Sequence, residues 1–144
     1  IFIYAAFNTY FPENRFFNRY ASAFNWIFML VCAIGIIFFN QGWYTLVNAS
    51  FGLVLLILHQ FVFRKSYMGN FWRFYFIHLI PFIIVNGILT GTGIEDQVVW
   101  YNNAQIIGVR IGTIPIEDTI YSMSVMLMNI TIMEYLLSGK FVKR

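Results

Sequence analysis

Apolar residues in this chain run in long blocks separated by short polar breaks. Residues 22–39, SAFNWIFMLVCAIGIIFF, carry no formal charge. After Asn40, Gln41 and Gly42, a second block runs from Trp43 to about Phe63, a third from Trp72 to about Thr92, and a fourth from Ile116 to about Leu137. A helix rises about 1.5 Å per residue, so about 20 apolar residues cross a hydrocarbon core of about 30 Å. The pattern predicts transmembrane helices over 22–39, 43–63, 72–92 and 116–137, with residues 93–115 as the one long loop. Residues 1–11, IFIYAAFNTYF, have the same character but are too short to cross. They read as the end of a truncated span, as though the chain started partway through a longer protein. The expected fold is an all-α polytopic transmembrane helix bundle: four full spans plus a partial N-terminal helix, in one membrane domain over 1–144.

Composition supports that reading. The chain is 60% hydrophobic and only 10% charged, against about 25% charged residues in a typical soluble domain. A soluble fold would have nothing to cover its surface. The net charge of +3 comes from scattered cations and makes no basic stripe, so no nucleic-acid partner is expected. The lone Cys32 excludes an internal disulfide.

Charge alternates from loop to loop. Residues 12–20 carry Arg15 and Arg19 against Glu13, and residues 40–42 carry none. Residues 64–73 carry Arg64, Lys65 and Arg73, the long loop carries Glu95 and Asp96 against Arg110, and the tail carries Lys140, Lys143 and Arg144. By the positive-inside rule the 12–20 loop, the 64–73 loop and the C-terminus face the cytoplasm, in an inner (cytoplasmic) membrane. The long loop and the start of the last helix then face the other side.

The candidate chemistry gathers on that other side. Pro115 suits a helix edge, and Glu117 and Asp118 follow in the first turn, where the macrodipole favours negative charge. A helix cap is therefore one reading of the pair. The other is functional. Ionisable residues at a bilayer boundary are costly, and two carboxylates this close repel, which favours one protonated beside one ionised group. Glu95 and Asp96 form a second acidic doublet, read first as a solvated loop. Trp100 and Tyr101, in WYNNAQ, suit either the mouth of a pocket or an interfacial anchor. Asn86 and Thr90 share a helix face and could bond to a neighbouring helix. His59 and His78 read as packed, hydrogen-bonded residues. Glu117, Tyr121, Ser124 and Thr131 form a polar stripe expected to point into the bundle. No Cys/His cluster offers a metal site, GTGIED lacks a dinucleotide fingerprint, and no aspartate-rich diphosphate motif occurs. No metal and no cofactor is expected, and chemistry would rest on carboxylates, aromatics and amides.

The stretch from Ile80 to Leu136, with WYNNAQ and the Pro115-x-Glu117-Asp118 sequence at the head of the last helix, resembles the second half of the integral-membrane lycopene cyclase domain proteins of bacteria and fungi. The resemblance extends over essentially all of residues 1–137. In that family each half ends in a Pro-x-Glu-Glu/Asp motif, and a complete member has two halves. The resemblance implies that an N-terminal repeat, or an equivalent subunit, completes the site as a partner. It also implies a carotenoid substrate of the lycopene type, cyclised by a redox-neutral isomerisation. Glu117 and Asp118 would be catalytic, with Tyr121, Trp100, Tyr101, Asn86, Glu95 and Asp96 binding or supporting. Aromatic faces could steady the passing cation.

Two alternatives remain open on the residues. A non-catalytic carotenoid-binding or structural membrane subunit would tolerate amides in place of the doublet, where a cyclase would not. A proton- or ion-coupled transporter fits less well, because His78, Asn86 and Asn129 bring no carboxylate to mid-span.

Overall fold

A computed structural model describes residues 2–11, 13–39, 41–63 and 66–137. Five helices follow one another: α1 (Phe2–Tyr10), α2 (Arg15–Phe38), α3 (Trp43–Ile57, prolonged by a π-helical turn over Leu58–Phe63), α4 (Met68–Leu89) and α5 (Glu117–Leu137). The fold is all-α, a helical bundle in which the last four helices are long and apolar enough to cross a membrane. Between 22% and 28% of the most apolar stretch of each is buried inside the protein. The rest presents apolar side chains outward, which only lipid accommodates. This is an integral membrane protein.

Two helices begin earlier than the hydrophobic blocks suggest. The Asn14 side chain accepts a hydrogen bond from the Phe16 amide at 2.9 Å, so α2 starts at Arg15 and takes in Arg19. α4 starts at Met68 and so contains Arg73, which is buried against α1: its guanidinium lies 4.6 Å from the Phe7 ring and donates to the Phe11 carbonyl. These three arginines were expected in loops. Arg64, Lys65, Lys140, Lys143 and Arg144, which also carried the topology argument, lie outside the described residues.

Small residues set the helix spacing, as lipid-embedded packing demands. Gly35 of α2 faces Ala49 and Thr45 of α3. A Cβ at Gly52 would stand 3.0 Å from Ser124 Oγ and 3.1 Å from Ile120 Cγ2, so α3 and α5 touch there. At Gly69 a Cβ would lie 2.8 Å from the Asn18 Cα, which brings the starts of α2 and α4 to the same end of the bundle. Between these contacts Leu56, Phe71, Trp72, Tyr75, Met123, Leu127 and Ile130 form the core.

Several polar groups inside the bundle bond to one another, since lipid offers no partners. Trp72 Nε1 donates to Asn25, Asn25 to Gln60, and Gln60 to Ser22, all within 2.7–2.9 Å. His59 sits in the π-helical turn with Nδ1 2.8 Å from the Leu55 carbonyl and Nε2 2.9 Å from Thr131 Oγ1. His78 instead lies between the rings of Phe74 and Phe82.

The long loop is more ordered than its composition suggests. It holds a short 3-10 turn, Asn103–Gln105, and a two-residue antiparallel ribbon in which β1 (Arg110–Ile111) pairs with β2 (Ile114–Pro115). Pro115 belongs to that ribbon and not to the helix edge. The loop is pinned over the α3 start by Gln105, whose side-chain oxygen accepts from the Trp43 amide at 2.9 Å.

Candidate active site

α5 opens on two buried carboxylates. Glu117 is 1% and Asp118 2% exposed. Neighbouring positions on a helix point about 100° apart, so the two face different partners. Glu117 Oε1 accepts from the Thr45 hydroxyl of α3 at 2.7 Å and from the Ile107 amide of the loop at 2.5 Å. Its other oxygen, Oε2, is buried and meets no hydrogen-bond partner among the described residues. Asp118 is fully engaged. Tyr44 donates to Oδ1 at 2.5 Å, while Tyr101 and the Asn86 amide donate to Oδ2 at 2.6 and 2.8 Å.

These bonds run to α3, α4 and the loop, so the pair ties three elements to the start of α5. The contrast between the two is chemical. Three donors converging on Asp118 suit an ionised carboxylate, which accepts only. Glu117 offers one oxygen to two donors and leaves the other without any. The Tyr101 phenol, in the loop, has its pKa raised, first by burial and then by its bond to the Asp118 carboxylate.

Two chambers, both open to the outside of the protein, meet at Trp100 and Tyr101. One, of about 530 Å³, is lined by Trp43, Tyr44, Val47, Trp100, Tyr101, Asn102, Gln105 and Ile106. The other, of about 410 Å³, is polar, with Gln97, Asn103, Arg110 and Thr113 in its wall. Arg110 stands 6.0 Å from the Tyr101 ring and donates to Asn103 and the Thr113 carbonyl. Trp100 and Tyr101 thus divide an apolar space from a polar one.

Of the residues singled out in the sequence, Glu117, Asp118, Asn86 and Tyr101 come together, and Trp100 stands at the chamber mouth, 77% exposed. Glu95 and Asp96 are exposed and supply none of the bonds to the two carboxylates. Tyr121 departs from the expected stripe: it is 49% exposed and lines a groove with Tyr4, Phe74 and His78 on another side of α5. Ser124 and Thr131 do face inward, toward α3. Tyr44, Thr45 and the Ile107 amide were not foreseen. A signal for the α3 face existed, because Thr45, Asn48 and Gly52 recur at helical spacing in an otherwise apolar run and all are buried.

Compared with known protein families, residues 40–136 match the lycopene cyclase family. The match includes both carboxylates, every donor to them, and both chambers. The chain belongs to the lycopene cyclase family. No curated protein and no solved structure matches the chain. Family membership supports a carotenoid cyclase-like role in the membrane. It reaches from the α3 start to the end of α5, leaving α1 and α2 outside the matched span.

Proposed function

We propose that the protein cyclises linear carotenoid end groups of the lycopene type to β-rings, by carboxylate acid/base catalysis. The observation that carries this reading is the buried Glu117–Asp118 pair, one member left with a bare oxygen and the other held by three donors. Cyclisation needs such a pair. An acid adds a proton to the terminal double bond, whose electron pair becomes the new C–H bond. The neighbouring double bond then attacks the tertiary cation and closes the ring. A base removes a proton from the ring, and the released electron pair becomes the ring double bond. One proton enters and one leaves, so the reaction is redox-neutral.

In this reading Glu117 supplies the proton and Asp118 terminates the path that takes one back. The chemistry also needs water kept from the reacting carbons, because a carbocation exposed to water would be captured as an alcohol. The substrate is a lipid-phase hydrocarbon, and the apolar chamber opens beside Val47, an outward position one turn into α3. A second repeat or subunit as partner, implied by the family pattern, belongs to the same proposal, as does an inner-membrane location with the C-terminus cytoplasmic.

The test is Glu117→Gln in the full-length protein, expressed in lycopene-producing cells. The variant is expected to accumulate in the membrane and leave lycopene uncyclised, since a general acid or base contributes about 10²–10⁴-fold in rate. Parent-rate formation of β-carotene by that variant would remove Glu117 from the mechanism. Accumulation with lycopene retained but no cyclisation even by the parent would favour a carotenoid-binding subunit.

A further inference from the structure

The two carboxylates are buried behind the wall of the apolar chamber, and neither is among the residues lining it. What the chamber presents instead is two phenols, Tyr44 and Tyr101, whose hydroxyls both bond to Asp118. Asp118 therefore has no lone pair directed into the space except through a tyrosine. The two tyrosines differ in their surroundings. Tyr101 also lines the polar chamber, under Arg110, whereas Tyr44 is found in the wall of the apolar chamber and on α3. The rings lie 5.8 Å apart and steeply inclined, at 63°, so one presents its face toward the other's edge. Trp43 and Trp100, 70% and 77% exposed, flank the entrance.

Resting on the cyclase reading above, we infer that the end group of the substrate folds into the chamber formed by Trp43, Tyr44, Val47, Trp100, Tyr101 and Ile106, and that Tyr44 is the group that ends the reaction there. Aromatic faces around the chamber attract the cation through their quadrupoles. The Tyr44 oxygen takes the ring proton while its own proton passes along the 2.5 Å bond to Asp118 Oδ1. The C–H electron pair becomes the ring double bond, Tyr44 ends neutral, and Asp118 ends protonated. The proton gained by Asp118 balances the one that Glu117 gives up in the first step, and its return to Glu117 between turnovers restores the resting state. Every proton is accounted for without a co-reactant.

This assignment makes Tyr44 a specificity-determining residue as well as a base. A cation of this kind can lose a proton from any neighbouring carbon, and each choice puts the ring double bond in a different place. The position of the base selects the β-ring.

The experiment compares the full-length parent with Tyr44→Phe and with Trp43→Leu, Trp100→Leu in lycopene-producing cells, reading total rings formed, the position of the ring double bond, and lycopene retained by the purified protein. Tyr44→Phe is expected to retain lycopene, to form β-rings about 10²–10⁴-fold more slowly, and to place part of the residual double bonds at other carbons. A merely structural tyrosine would change the amount of product but not the double-bond position. The tryptophan pair variant is expected to lose retained lycopene. If Tyr44→Phe fails to accumulate, replacing Tyr44 by 3,5-difluorotyrosine keeps the ring and hydroxyl but weakens the oxygen as a base. Parent-like rate and only β-rings in either Tyr44 variant would overturn the inference while leaving the cyclase reading intact. A parent protein that forms no rings would instead remove the cyclase reading, and this inference with it.

Discussion

Asp118 and Asp96 stand 22 residues apart in one chain, yet their surroundings differ completely. Asp118 is buried under three donors, whereas Asp96 is exposed in the loop. Asp118→Asn would put an amide NH₂ opposite hydroxyl and amide donors, leaving at least one donor unsatisfied at a cost of about 1–3 kcal/mol. It also removes the proposed proton acceptor. Cyclisation is expected to fall by orders of magnitude, with a lower melting temperature in detergent as the accompanying measurement. Asp96→Asn should retain most of the activity in the same assay, and loss as complete as for Glu117→Gln would require the 95–96 segment to enter the site. At this scale the sequence carried the acidic doublet and its place in the first turn of α5. It could not tell a cap from a buried pair, because that depends on which groups other helices bring to the same point.

The element that assembles the site is the long loop. Its backbone supplies the Ile107 amide to Glu117, its side chains supply Tyr101 to Asp118, and Gln105 fastens it to the α3 start. Gly42 permits that closeness: a Cβ there would stand 2.6 Å from the Gln105 carbonyl oxygen, and the neighbour is backbone, which cannot turn aside. Gly42→Ala should therefore lift the 3-10 turn from α3, widen the apolar chamber and loosen both loop donors. The expected result is normal accumulation and helix content with lycopene conversion reduced at least several-fold. Conversion equal to the parent's would show that the loop docks without this contact. The polar and aromatic residues of the loop were legible as interfacial, but the loop's registry on α3 was not, because it rests on contacts between residues far apart in sequence, such as the Trp43–Gln105 bond and the close approach of Gly42 to Gln105.

For the whole molecule, the starts of α2 and α4 share one end of the bundle through Gly69 and Asn18, and the carboxylate site occupies the other end with the start of α5. Arg15, Arg19 and Arg73 stand at the first end, with Glu95 and Asp96 in the loop at the second. The proposed orientation puts the arginine end in the cytoplasm. Cysteine placed at Arg144 should react with an impermeant thiol reagent only after the cytoplasmic face is opened, with buried Cys32 silent throughout. Labelling of intact cells at that position, with the outer envelope permeabilised, would invert the topology.

The sequence by itself determined the all-α class, the number of long apolar helices and the family resemblance. These follow from properties local to each segment: a membrane requires a run of apolar residues long enough to cross it and internal backbone bonding within that run. The tertiary structure alone decided that Arg73 is buried, that Tyr121 leaves the polar stripe, and that Tyr44 and Thr45 join the carboxylates. Those outcomes depend on helix rotation and on close approaches at Gly35, Gly42, Gly52 and Gly69. Hydropathy is a sum along one segment, blind to which face meets which neighbour, whereas the bonds that distinguish Glu117 from Asp118 are made between segments.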